Sequence, residues 1–270
     1  MRTEMPVRGL REAAPSRIWT LGAVSFLNAR PLVDALVDRE GIVVRPAVPS
    51  RLAAMLESGA CDAALMPVVD YWRRRDVLQR VSDACIASSG ETMTVRVYSK
   101  VPPDKMERLH VDTHSHTSLV LARVIWREMY GRRLDLRPFD ADDVNGPKDD
   151  VEGVLLIGDK VASSRRHGFG FEVDLGAAWM HLTGLPFVFA AWYAPRDCDC
   201  TVLSKALEQA RDKGVADAAR IASEQGPLHG WPVQLAQKYL CGIMQYKLTD
   251  SMRAAMDRFF GFIEQDDLTE

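Results

Sequence analysis

The amino-terminal third of the chain alternates short apolar runs with amphipathic stretches. IWTLGAVSF (18–26) is a buried-strand run, and Pro31 then opens the helix PLVDALVD at a favoured first position. The β-branched run IVVRPAV (42–48) reads as a second strand, stopped by Pro49-Ser50. Leu52, Met55 and Leu56 recur at helical spacing, Gly59 ends that helix, and DAALMPVV (62–69) supplies a third strand. This alternation predicts an α/β fold with a mainly parallel sheet and helices on its faces.

The middle repeats the pattern. TMTVRVYS (92–99) alternates as a strand and breaks at Pro102-Pro103. RLHVDT (108–113) runs into HSHTS, and a helix follows from about Ser118 to Tyr130, with Gly131 just past its end. RRLDLRPF, EGVLLIGD (152–159) and LPFVFAAWY (185–193) read as further strands. From Val202 onward the period is helical: Leu203, Leu207 and Ala210 mark one helix, and Leu235, Tyr239, Leu240 and Ile243 a second. Met252, Met256, Phe259, Phe260 and Ile263 mark a third. Two α/β alternations followed by terminal helices predict two lobes around a cleft, 17–96 with 195–270 in one and 97–194 in the other. The apolar strands at 94–99 and 187–193 are the expected hinges.

Composition narrows the function. The chain has 270 residues, 47% of them hydrophobic and 26% charged, ample for a two-lobed core. A formal net charge of −3 argues against a surface built for nucleic acid, and no apolar run reaches the length of a membrane span. Residues 1–16 lack the apolar centre of a signal peptide and any helical or strand period, so a disordered leader and a cytosolic location are expected. The five cysteines are odd in number and scattered, which is no disulfide framework. The close pair Cys198 and Cys200 has no second Cys/His pair to match, so a loop coincidence is favoured over a metal or redox role. No P-loop, dinucleotide-binding glycine triplet, G-x-S-x-G or H-E-x-x-H motif is present, so neither cofactor nor metal is expected.

Ligands of open α/β sheets bind beyond the carboxyl ends of strands. Four such segments are rich in donors: Asn28 with Arg30, Ser88-Ser89-Gly90-Glu91, Thr113 to Ser118, and Gly158-Asp159. Asn28 suits a helix cap and a ligand contact equally. The hydroxyls of Thr113, Ser115, Thr117 and Ser118 at a helix start exceed what a cap needs, which favours a carboxylate or phosphate site. His114 and His116 could ligate a metal, but no third ligand stands at a matching distance; a solvent-facing or ligand-contacting pair is preferred. Asp159 either positions a substrate hydroxyl or caps the helix after it, the cap being the better reading.

Several stretches taken together are more specific. VSFLNARPL (24–32), VPSRLAAMLESGACDAALMPVVDY (48–71), SSGETMTVRVYSKVP (88–102), HSHTSLVLARVIWREMYG (114–131), GVLLIGDKV (153–161) and DLGAAWMHLTGLPFVFAAW (174–192) resemble, in that order, the chorismate dehydratase family. The resemblance covers residues 18–193. It implies a two-lobed periplasmic-binding-protein type II fold used as a cytosolic enzyme. It also implies conversion of chorismate to 3-[(1-carboxyvinyl)oxy]benzoate and water, the first step of the futalosine route to menaquinone. Asn28 matches the family's catalytic asparagine. Thr94 stands where the family carries a serine, keeping the hydroxyl and adding a methyl. Arg30, Ser88, Ser89, Thr113, Ser115, His116, Thr117, Ser118 and Asp159 are the expected substrate-binding set, with chorismate as partner and neither nucleic acid nor membrane. The other reading of such a chain is a non-catalytic binder or sensor of small carboxylates.

Overall fold

The computed structural model of the chain describes residues 17–112, 116–139, 151–163 and 168–266. The expected leader lies outside them, as do Thr113, His114 and Ser115. Strand β1 (Trp19–Val24) leads through a 3-10 turn (Leu27–Ala29) into α1 (Arg30–Val33), with Pro31 in its first turn. β2 (Ile42–Ala47), α2 (Pro49–Glu57) and β3 (Ala63–Pro67) follow, then α3 (Val68–Trp72) and β4 (Leu78–Ser88). The second half of the alternation comprises β5 (Val95–Ser99), β6 (Arg108–Asp112), α4 (His116–Tyr130), β7 (Asp135–Phe139), β8 (Gly153–Ile157), α5 (Asp159–Ser163), β9 (Phe171–Asp174) and α6 (Leu175–Thr183). β10 (Phe187–Pro195) precedes α7 (Thr201–Ala216), α8 (Ala218–Gln225) and α9 (Val233–Gln237). A π-helical stretch (Lys238–Ile243), β11 (Met244–Lys247) and α10 (Asp250–Asp266) complete the described chain.

The strands form two sheets, ordered β11-β4-β10-β3-β1-β2 and β7-β6-β8-β5-β9. Within the strand–helix–strand units the pairs β1–β2, β1–β3, β6–β7 and β6–β8 are parallel, as the alternation predicts. β10, β4 and β11 join antiparallel, as do β5 with β8 and β9, so each sheet as a whole is mixed. β5 lies whole in the second sheet and β10 whole in the first. The chain therefore crosses between sheets at residues 89–94 and 175–186, ahead of each expected hinge strand rather than within it.

One carboxylate holds the two crossings together. Asp174 accepts from the first-turn amides Gly176 N (3.0 Å) and Ala177 N (3.1 Å) of α6, the arrangement of an N-cap. The same side chain accepts from Thr92 N (3.0 Å), Met93 N (2.9 Å) and the Thr92 hydroxyl (3.1 Å) on the other crossing. The backbones approach so closely there that a Cβ on Gly176 would stand 2.5 Å from the Gly90 carbonyl oxygen. Gly184, with φ of 70°, then stops α6 in the left-handed conformation that glycine adopts without steric cost. Trp179 anchors the helix: its Nε1 donates to Pro186 O (3.0 Å), and its ring meets Phe187, Phe259 and Phe262 edge-on.

Candidate active site

The two sheets meet across a cleft with about 460 Å³ of free space, the solvent at its mouth included. Its walls come from the strand ends of both. Val24, Pro67 and Phe189 line it from the first sheet, Ile157 and Gly158 from the end of β8, and Thr94 from the crossing before β5, with Thr117 and Ser118 from the start of α4. Most of this surface is apolar, with a few converging donors, which is how small-molecule sites are built. No lining residue among those described carries an ionisable side chain.

Asn28 reaches this cavity from the turn after β1, and Thr94 from the crossing just before β5. Asn28 sits inside the 3-10 turn after β1, and no side chain caps that turn or α1, so its capping alternative is not met. Its Oδ1 is buried without a hydrogen-bond partner. Thr94 is buried, and its Oγ1 lies 2.8 Å from the hydroxyl of Tyr239. The Asn28 side chain is within hydrogen-bonding reach of the same phenolic oxygen. Complete burial raises the Tyr239 pKa well above its ordinary value, more than these two hydrogen bonds lower it, so the phenol stays protonated.

Tyr239 belongs to the π-helical stretch and stacks on Trp231, ring centroids 4.8 Å apart. Trp231 Nε1 in turn donates to Asp159 Oδ1 at 2.8 Å. Asp159 also accepts from Leu27 N (3.2 Å) and pairs with His229 Nδ1 (2.8 Å). It does not line the cavity; it fastens the end of β8 to the first lobe and to the segment before α9. Gly158 makes that approach possible: its φ is +64°, and a Cβ there would fall 2.8 Å from the Phe26 ring.

A second clasp lies at the opposite side of the cleft. His116 Nδ1 stands 2.8 Å from Oδ1 of buried Asp70 on α3, and Val69 N donates to Thr117 Oγ1 at 3.4 Å. His116 is thus engaged with α3, while Thr117 and Ser118 face the cleft. Arg30 does not line the cavity; its guanidinium pairs with Asp34, one turn on, at 2.7 Å. Ser88 is buried with its hydroxyl toward Gly90 O (3.3 Å), and Ser89 is exposed, neither of them lining the cavity. Of the expected set, the structure brings Asn28, Thr94, Thr117 and Ser118 together, while Thr113 and Ser115 are outside the described residues. The Cys198 and Cys200 sulfurs lie 3.2 Å apart, and no three His, Cys, Asp or Glu among the described residues are grouped to hold a metal.

The comparisons with known proteins agree with this architecture. A family model described as menaquinone biosynthesis matches residues 19–265. The chain belongs to the menaquinone biosynthesis family. In keeping with that membership, it is 28% identical over 261 residues to a chorismate dehydratase of Thermus thermophilus, covering 90% of this chain and 94% of that one. A structural-genomics protein of Archaeoglobus fulgidus is 15% identical with a TM-score of 0.75, covering 94% of this chain and 99% of its own. A Candida albicans protein with the generic periplasmic binding protein fold is 10% identical with a TM-score of 0.64, covering 93% of each chain. This member of the menaquinone biosynthesis family therefore has the periplasmic-binding-protein fold, and no helix among its described residues is long and apolar enough to cross a membrane.

Proposed function

We propose that the protein is a chorismate dehydratase, a hydro-lyase that converts chorismate to 3-[(1-carboxyvinyl)oxy]benzoate and water in the futalosine route to menaquinone. The observation that carries this reading is the meeting of Asn28, from the turn after β1, and Thr94, from the crossing just before β5, at one cavity whose described lining has neutral donors and no ionisable side chain. Such a site is poorly equipped for general-base catalysis by the protein and well equipped to orient a substrate that brings its own base. The enolpyruvyl carboxylate of chorismate takes the proton from ring C3. The C3–H electron pair becomes the C3–C4 double bond, and the C4–OH bond breaks. Proton and departing hydroxide leave as water, and the ring becomes aromatic.

Each residue then has a task. Asn28 and Thr94 hold the enolpyruvyl carboxylate against C3–H, and donors aimed at the departing oxygen stabilise its charge. Thr117 and Ser118, at the amino end of the fifteen-residue helix α4, hold the ring carboxylate, where the helix dipole favours an anion. Purified protein mixed with chorismate should lose the diene absorbance and yield the aromatic product with no added cofactor, and a chelator should leave the rate unchanged. Tight chorismate binding without turnover would instead support the non-catalytic binder.

A further inference from the structure

We propose that Tyr239 is a positioning residue that sets which way the hydroxyl of Thr94 points, an inference that rests on the dehydratase reading above. A ring alone suffices to stack on Trp231, so phenylalanine would fill the space equally well. The hydroxyl costs free energy to bury unless it is hydrogen-bonded. Its partners are Thr94 and Asn28, which both line the cleft.

The direction of the hydrogen bonds follows from counting hydrogens. Asn28 Oδ1 has no partner, so the amide nitrogen is the Asn28 group left to meet the phenolic oxygen. The phenol has one hydrogen and is the stronger acid of the two hydroxyls 2.8 Å apart, so in this assignment it donates to Thr94 Oγ1. Thr94 thereby keeps its own hydrogen, for which the Thr92 carbonyl at 3.5 Å is a weak competitor. That hydrogen is left for a ligand carboxylate, and Asn28 Oδ1 is left as an acceptor. The π-helical stretch supports the assignment, because such irregular turns occur frequently at functional sites. Through Trp231, the same phenol is tied to Asp159 and the clasp between the lobes.

Tyr239→Phe should lower kcat on chorismate by about 10- to 100-fold, with KM within about threefold, since misorientation acts on the reacting geometry more than on ground-state binding. Tyr246→Phe is the control: its hydroxyl is buried without a partner, and kcat should not change. In the Thr94→Val background, Tyr239→Phe should have no further effect, because the hydrogen it aims is already gone. If Tyr239→Phe fails to fold, 3-fluorotyrosine at 239 keeps the shape and makes a stronger donor, and should shift kcat by about twofold or more relative to the same change at 246. Full kcat in Tyr239→Phe or an unmoved kcat in the fluorinated protein overturns the inference, as do multiplicative losses in the double variant. A wild-type protein inert toward chorismate defeats the functional reading and takes this inference with it; an active wild type with an indifferent position 239 defeats this inference alone.

Discussion

Asn28 has no cap to provide and an unpartnered carbonyl oxygen, so its side chain is placed for a ligand rather than for the backbone. Asn28→Ala should therefore lower kcat by about 100-fold or more, the scale of losing one charge-stabilising donor. Its melting temperature should stay close to wild type; a collapsed melting temperature with intact activity would assign Asn28 to structure instead. Thr94→Ser should keep activity and Thr94→Val lose most of it, and equal rates in the two would remove the hydroxyl from the chemistry. Gly158→Ala combines a φ of +64° with a Cβ 2.8 Å from the Phe26 ring, so a stability loss of about 1–3 kcal/mol is expected in denaturant titrations. Asn28, Thr117 and Ser118 stand out in the sequence because they directly follow or begin elements of a clear period, whereas Thr94 is singled out only by the family resemblance. Asp159 is visible as a candidate but its role as a clasp is not, since the groups that engage it, His229 and Trp231, stand some seventy residues further along the chain. Tyr239 was hidden for another reason: its spacing with Leu235 and Ile243 fits a core-facing helix, and nothing in that pattern reveals a hydroxyl that meets Thr94.

The parallel units were legible as elements because β1, β3 and β8 are apolar runs and β2, β6 and β7 shorter β-branched or alternating stretches, set between proline, glycine or helical signals. β4, β9 and β11 were not. β4 carries Arg80 and Asp83 within a largely buried strand, so it neither alternates nor reads as apolar; Asp83 is matched by Arg211 of α7, a partner no local pattern discloses. β9 and β11 have only four residues each, too few for a period, and β11 follows directly on a helical run. Glu152 shows how a single side chain registers two of the predicted strands. At the start of β8 it accepts from Glu107 N (2.8 Å) and Arg108 N (2.9 Å) at the start of β6, and from the Arg108 guanidinium. Burial raises its pKa, but the two backbone N–H groups and the guanidinium outweigh burial and leave it lowered. A lowered folded-state pKa contributes stability above the unfolded value of about 4.3, and the contribution disappears as pH falls through the folded value. Glu152→Gln should therefore cost about 1–2 kcal/mol at pH 7 and progressively less below about pH 4. A gap that persists undiminished at pH 3 would show that charge plays no part in it.

Among the described residues, polar groups of the two lobes meet beside the cavity: Asp70 with His116 and Val69 N with Thr117 at one place, Asp159 with Leu27 N, His229 and Trp231 at another. The crossings that join the lobes are short, and the first contains Met93 at a φ of 65°, a conformation unusual for a side-chain-bearing residue, directly before Thr94. This arrangement suits a clamp that opens at residues 89–94 and 175–186 and closes on its ligand. Closure excludes water from the donors, and binding drives it only as far as the ligand contacts both lobes better in the closed state. A ligand with two carboxylates can bridge Asn28 and Thr94 to the start of α4, whereas benzoate can engage one end only. Small-angle scattering should thus show a smaller radius of gyration with 3-[(1-carboxyvinyl)oxy]benzoate than with benzoate. Asp159→Asn should shift the ligand-free protein further open and weaken product binding by about tenfold, because part of the binding energy must then restore the clasp. An identical radius of gyration in the free, benzoate and product samples of the wild type would sink the clamp, since lobes that do not move cannot have their closure driven by the second carboxylate.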